Sequence, residues 1–451
     1  MAKQLLINPK KVRNRSTLEL GSIPINQYSR SVREESTSKG VGMERCLRIY
    51  RDMALIREFE TMLDSIKKLG AYQGIEYNHA GPAHLSIGQE GAAVGQSVHL
   101  SVDDHLFGSH RSHGEFIAKG LRAVEDLADS SLSEIMENYF GGRTLSIVEK
   151  NEADWSPFSL TPQKSRKAAL QTTASEERGI DFLLYGLLAE VFGRETGFNK
   201  GMGGSMHAFF PPFGVYPANA IVGGSADISV GAALYKKVQE KKGIAIANIG
   251  DASIGCGPVW EALGFSAMSQ TRTLWPDFMK GGLPMLFNFM NNFYGMGGQP
   301  IGETMGFDFL ARVGAAVNAE NMHAEVVDGN NPLALADAYA RKLKLIKAGK
   351  GPVFLDVLCY RQAGHSPSDQ SAYREREEID LWRAVDPITE YGQNLVQAGI
   401  LAEGDLEAVA EYARRKVTKA CRLAVSEEVS PRMFLSSRQG VSQMMYNNQV
   451  E

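Results

Sequence analysis

From Met43 to Lys68 apolar residues recur at three- and four-residue steps: Leu47, Tyr50, Met53, Ala54, Ile56, Phe59, Met62, Leu63 and Ile66. That period predicts an amphipathic helix, and Gly70 supplies its stop. A Gly- and His-rich stretch runs from Ala80 to Gly120. Residues Arg143 to Arg178 are polar, rich in Ser, Thr and Lys, and read as a surface insertion or linker. The Gly-dense segment from Gly193 to Gly231 carries too many apolar residues to be a flexible linker.

Beyond it the pattern alternates between short apolar runs and helical periods. Ile244–Ile249 reads as a buried strand, Gly250-Asp251-Ala252-Ser253 as a turn and Pro258–Ser269 as a helix. Further strands are predicted at Leu283–Met290, Glu325–Val327 and Val353–Leu358, with helices near Phe307–Ala319 and Pro332–Ile346. Strands separated by helices predict an α/β fold, a doubly wound parallel sheet covered on both faces. A last long helix aligns Leu406, Val409, Ala413, Val417, Ala420 and Ala424 on one stripe. No internal repeat is evident. The expected organisation is an arm at 1–42, an α/β domain at 43–381 with insertions near 143–178 and 270–282, and a helical extension at 382–451.

Composition narrows the class. The 451 residues are 43% hydrophobic and 22% charged with a net charge of −4, which offers no basic field for nucleic acid or anionic membrane. Cys46, Cys256, Cys359 and Cys421 form no C-x-x-C pair, against a structural zinc or a disulfide framework. No apolar run reaches the length of a membrane span, and no secretory signal is evident. The cytoplasm is the default location. The first 40 residues hold eight Lys/Arg against three acids and read as a loosely ordered arm. They lack the clean amphipathic period of an organelle transit peptide.

In an open parallel sheet ligands bind beyond the carboxyl ends of the strands. Three predicted strand ends are polar: Gly250–Ser253, Asn291–Met296 and Tyr360–Ser366. The Asp251 carboxylate and the Asn292 amide oxygen are hard donors suited to Mg²⁺ that keeps phosphate oxygens as its other ligands. Flanking glycines let backbone approach a phosphate, and Arg111 and His365 would complete a diphosphate site. Each residue also has a plainer role. Asp251 could cap the next helix, Asn291-Asn292 could be a loop pair, and His365 a hydrogen-bonded loop histidine. Their joint placement at successive strand ends favours the site.

These residues resemble the alpha subunit of the thiamine-diphosphate-dependent first component of 2-oxo acid dehydrogenase complexes, a group that includes the pyruvate, branched-chain and acetoin enzymes. The resemblance spans most of residues 43 to 425. It is carried by His84–Glu90, His110–Gly114, Gly201–His207, the Asp251 and Asn292 segments, Tyr360–Glu378 and Asp386-Pro387-Ile388. It implies a thiamine-diphosphate-binding fold and decarboxylation of a 2-oxo acid with reductive acylation of a lipoyl group on an acyltransferase component. Asp251, Asn292 and Tyr294 match the magnesium ligands, the last through its backbone carbonyl. Arg111 and His365 match residues that hold the diphosphate, which the Gly250-Asp251-Ala252-Ser253 turn also meets. Ile221, Val222 and Gly223 match the segment beside the aminopyrimidine. His113, His207 and His365 match the catalytic histidines, the first two lining the approach to the thiazolium. Ser366 and the Asp369–Arg374 loop match a loop that carries regulatory phosphoserines in mitochondrial members. In this family the activating glutamate comes from a second such domain. The roughly 70 residues after Leu381 are too few for one, so the resemblance implies a separate beta subunit in an α₂β₂ assembly. A eukaryotic member would work in the mitochondrial matrix.

The chain departs from the family pattern in places. Ala252 stands where Gly is usual, Cys256 where pyruvate-type members carry Gln, and the segment between Asp251 and Asn292 is longer. Ala252 and Cys256 leave open a non-decarboxylating scaffold subunit as a second reading. A thiamine enzyme acting on sugar phosphates, of transketolase type, or forming acetoin is a third. Residues Ser368–Arg374 lean toward branched-chain members without naming a substrate.

Overall fold

The computed structural model describes residues 7–17, 19–37, 39–151, 155–160, 170–303 and 305–435. Six strands form its main sheet: β1 (His105–Phe107), β2 (Val215–Tyr216), β3 (Ala245–Gly250), β4 (Met285–Asn291), β5 (His323–Asp328) and β6 (Val353–Leu358). Their order is β2-β1-β3-β4-β6-β5 and every pairing is parallel. In the centre Ala245 lies opposite Met285, and Leu286 opposite Val353. β4 is buried at every position, as a strand covered on both faces must be.

Alternation assigns the two faces. Ala245, Ala247, Ile249, Phe287, Phe289 and Phe354 pack under the helices Gly224–Val238, Gly257–Ser266 and Ala311–Val317. Ile246, Leu286, Val353, Leu355 and Val357 pack under Pro332–Lys347, whose Leu335, Ala338 and Tyr339 are fully buried. A further helical layer joins Met43–Leu69 to His113–Asp126, Ala174–Val191 and Glu403–Val425 around one apolar cluster. Met43–Leu69 ends as its sequence predicts, with Gly70 left-handed at φ +70° and its N–H returning to the Ile66 carbonyl. No helix among the described residues is long and apolar enough to cross a membrane.

The predicted strands are present within two residues, and the helix near Phe307–Ala319 shortens to Ala311–Val317. Two expectations are corrected. The stretch from 143 to 178 is not wholly a surface insertion. Arg143–Lys150 is a helix that buries Leu145 and Val148, Leu160 and Leu170 pair in a short antiparallel ladder, and Thr173 caps Ala174–Val191 with a capping box. Residues 152–154 and 161–169 of that stretch lie outside the described residues. The stretch 270–282 does remain largely at the surface, where Phe278 is exposed.

The second correction concerns the arm. Residues 1–6, 18 and 38 lie outside the described part, and residues 9–17 are exposed, but from Pro24 the arm, though largely exposed, is held in place by backbone pairing and by the buried side chains of Val32 and Glu35. The Val326 N–H donates to the Pro24 carbonyl and the Asn26 N–H to the Val326 carbonyl, so the arm covers the free edge of β5. Ser31 then caps Val32–Glu35, and buried Glu35 accepts from Arg30, Tyr28 and the Val41 backbone. Glu35→Ala strips three donors of their acceptor, so it should cost about 2–4 kcal/mol in chemical denaturation. A loss under about 0.5 kcal/mol would show that the strap is not docked in solution.

Candidate active site

The connection from β1 leads to β2 on one side, and the connection from β2 returns past β1 to β3. Such a reversal opens a crevice at the carboxyl ends of the strands. A cavity of about 330 Å³ fills it, lined by Ser109–Arg111 after β1, Gly250–Ser253 at β3, Asn292 and Tyr294 after β4, and Arg361 and His365 after β6. The three strand ends read as polar in the sequence therefore converge on one space.

Asp251 opens a short 3₁₀ turn, Asp251–Gly255, and is 2% exposed. Its Oδ2 is buried without a hydrogen-bond partner. Burial pushes its carboxyl up to about 7, against the Ala252 N–H and the Arg361 guanidinium, which favour the charged form. Asn292 is buried beside it and accepts from the Tyr294 N–H at 3.2 Å. Phe293 between them holds φ +65°, a left-handed strain of about 1 kcal/mol that folds the segment back on itself. The Tyr294 hydroxyl donates to Glu378, as does Tyr360, which ties the loops after β4 and β6 together. Ala252 keeps a negative φ, so its methyl carries no backbone cost. A Cβ at Gly295 would lie 3.3 Å from that methyl. A buried orphan carboxylate beside an amide, in a cavity of ligand size, fits an octahedral Mg²⁺.

Arg111 acts as a clamp. Its guanidinium donates to the Leu85 carbonyl and to the His365 carbonyl, each at 2.8 Å, and lies 3.4 Å from His365 Nδ1. Burial and the nearby Arg361 pull its pKa down to about 9, so it still carries charge near neutrality. The His365 N–H donates to Asp369. Its ring packs with those of His84 and His110, with centroids 5.3 and 5.6 Å away. Burial, then Arg111, holds the three rings unprotonated, His84 near about 3, His110 near about 2 and His365 near about 4. His84 Nδ1 and His110 Nε2 have no partner.

Val222 lines the cavity, and Ile221 and Gly223 border a crevice beside it. Gly223 is required there. It holds φ +81°, and a Cβ would come within 3.0 Å of Val259 and 3.2 Å of Cys256. Cys256 itself is half-buried and off the lining.

Two expected histidines are placed elsewhere. His207 is exposed and does not line the cavity; its neighbour Met206 does. His113 is buried, with Nδ1 3.0 Å from Glu60 Oε1 and Nε2 2.8 Å from Ser205 Oγ. Glu60 also accepts from the Ser86 N–H, so this chain ties three cavity loops together. The Ser–His–Glu order resembles a hydrolase triad, but the neighbouring Gly203 and Gly204 N–H groups already donate to Glu190 and form no oxyanion hole. The structure adds His84, His110, Gln89, Glu115 and Arg361 to the cavity wall. His84 and His110 stood inside motif segments, where side-chain direction cannot be read.

The family described as "Dehydrogenase E1 component" matches residues 172–432. A pyruvate dehydrogenase E1 component subunit alpha of Rhizobium meliloti (strain 1021) is 27% identical over 382 residues, 84% of this chain and 86% of that protein. One from Zymomonas mobilis is 29% identical over 383 residues, 84% of each chain. A probable mitochondrial form from Caenorhabditis elegans is 27% identical over 398 residues, covering 88% and 78%.

The histidine cluster has a pH signature. Unfolding frees these rings to bind protons that the folded chain refuses, so stability should fall as pH drops from about 6.5 toward 4. Ring resonances of labelled His84 and His365 should remain those of neutral imidazole at about pH 5.5; midpoints between about 6 and 7 would mean the rings are not packed this way.

Proposed function

Because the chain belongs to the dehydrogenase E1 component family, and is a first component of a 2-oxo acid dehydrogenase, we propose that its cavity is the diphosphate half of a thiamine diphosphate site. The enzyme is an oxidoreductase acting on 2-oxo acids. The observation that carries the reading is the unpartnered Asp251 oxygen beside Asn292. Asp251, Asn292 and the Tyr294 carbonyl would hold Mg²⁺. Arg111, His365 and the Gly250–Ser253 turn would hold the diphosphate, and Ile221, Val222 and Gly223 would flank the aminopyrimidine. When bound, the cofactor supplies the electron sink for decarboxylation.

The chain's own residues fix where that happens. Arg111 is already oriented by two backbone carbonyls, so its charge meets an anion with little reorganisation. The neutral rings of His84, His110 and His365 offer hydrogen bonds without repelling a metal. His113 is a positioning residue here, and His207 stands at the surface beyond Met206. The relatives carry pyruvate in their names, so pyruvate is the first substrate to test, ahead of branched-chain 2-oxo acids and acetoin. The harmless φ of Ala252 and the position of Cys256 off the lining speak against a mere scaffold.

The domain reading stays as proposed, a binding domain over 43–381 with additions at 1–42 and 382–451. A beta subunit would supply the activating glutamate, in an α₂β₂ assembly that passes its acyl group to a lipoyl-bearing acyltransferase. Its seat is suggested by exposed Ile228, Tyr235, Trp260 and Phe265 on two packed helices that continue from Ile221 and Val222. The relatives are bacterial or named mitochondrial, so the compartment would be bacterial cytoplasm or mitochondrial matrix.

Co-expressed with its partner, the wild type should decarboxylate a 2-oxo acid with an artificial electron acceptor. Asp251→Ala should lower that turnover by about 10³ or more, because it removes a charged ligand of the site. The metal-free variant should be no less stable than wild type, since it loses a buried orphan carboxyl. Turnover within about tenfold of wild type would refute the assignment.

A further inference from the structure

Glu115 is the third residue of the helix His113–Asp126, and it lines the cavity that Arg111 serves. It is 2% exposed, and its Oε2 meets no hydrogen-bond donor. A glutamate at this helical position often reaches back to cap the helix start, but no such bond to Ser112 forms here. The groups around it do not neutralise it. Glu60 presses on it from the Met43–Leu69 helix, while Arg111 and His113 act on it from its own segment. Tyr339 on the Pro332–Lys347 helix and Cys359 after β6 lie within its field, and Asp251 and Arg361 face the same cavity. Arg111 spends its hydrogen bonds on two backbone carbonyls and forms no ion pair with Glu115.

A carboxylate in this place would have only its own backbone N–H as a donor, with Oε2 left unmet, and would repel any anion drawn in by Arg111. The neutral acid avoids both costs, but its O–H then needs an acceptor, and phosphate oxygens are acceptors. We propose that Glu115 is an anion-binding residue of the cavity, an uncharged carboxyl that donates a hydrogen bond to a phosphate oxygen, so that anion binding draws a proton onto the chain. The proposal rests on the reading of the cavity as a diphosphate site. Burial, reinforced by Glu60, raises the Glu115 carboxyl to about 7, so near neutrality roughly half the ligand-free molecules have still to gain this proton.

The sign follows from linkage. A bound anion raises the Glu115 pKa further, so binding takes up a proton and weakens as pH climbs above about 7. The test is calorimetry of inorganic pyrophosphate binding to the full chain without metal, near pH 7, in two buffers of different ionisation enthalpy. Wild type should take up about half a proton more than Glu115→Gln. Between about pH 7 and 9 its affinity should fall several-fold more than that of the variant. Equal proton counts in two chains that both bind would overturn the proposal and leave the diphosphate site intact. Failure of wild type to bind pyrophosphate or thiamine diphosphate with Mg²⁺ would overturn the site and the proposal together. If Glu115→Gln does not fold, the same count is made on Asp251→Asn, which removes the other acid of the cavity. Uptake there that switches on with the ionisation of a carboxyl at about pH 7 and exceeds pyrophosphate's own change in protonation supports Glu115, and its loss refutes it.

Discussion

Burying a carboxylate costs several kcal/mol unless a cation or hydrogen-bond donors meet it. Asp251 is buried at the end of a central strand, with one oxygen unmet. Among the described residues no lysine or arginine lies within ion-pairing distance of it. Arg361 contributes only its longer-range field. A protein that keeps such a group invests stability in something absent from its own chain. The position is set by the sheet: β3 and β4 pair in parallel with Gly250 opposite Met290, so Asp251 and Asn292 leave the same ends of neighbouring strands and line one cavity. One parallel pairing thus brings a carboxylate and an amide, 41 residues apart in sequence, to the wall of one cavity.

The loops that complete the cavity are held by buried polar ties rather than by strand pairing. Arg111 binds the carbonyls of Leu85 and His365. Glu60 on the helix Met43–Leu69 accepts from the Ser86 N–H and bonds His113, which in turn bonds Ser205, so the helix is tied to three loops. Glu190 gathers the N–H groups of Asn199, Gly201, Gly203 and Gly204, which sets the Gly-rich turn that carries Met206 to the cavity wall. Glu378 joins the Tyr294 and Tyr360 hydroxyls. A carboxylate that organises several backbone donors fixes a glycine-rich loop at low entropic cost, because the acceptor is already held in a helix.

The central strands and the polar strand ends were legible because long apolar runs and the residues that close them are local signals. β1 and β2 were not, since three and two residues are too few to show a period. The helix Ala174–Val191 was also hidden, for it is buried continuously from Gly179 to Val191 and shows no polar face. The packed arm escaped notice because its composition is that of a loose tail, while its docking depends on the distant edge of β5. At the site, Arg111, Asp251, Asn292 and His365 line the cavity as expected. His113 and His207 do not, and His84, His110 and Glu115 do. Which way a side chain leaves a loop depends on neighbours far along the chain, and a motif does not state it.

The central claim is that Asp251 awaits a divalent cation that arrives with a diphosphate. The direct measurement is electron paramagnetic resonance of Mn²⁺, standing in for Mg²⁺, titrated into the full chain with and without thiamine diphosphate. One bound Mn²⁺ per chain is expected when the diphosphate is present, far weaker binding in its absence, and loss of the site in Asp251→Asn. Metal binding that ignores the diphosphate, or survives that substitution unchanged, would contradict the account.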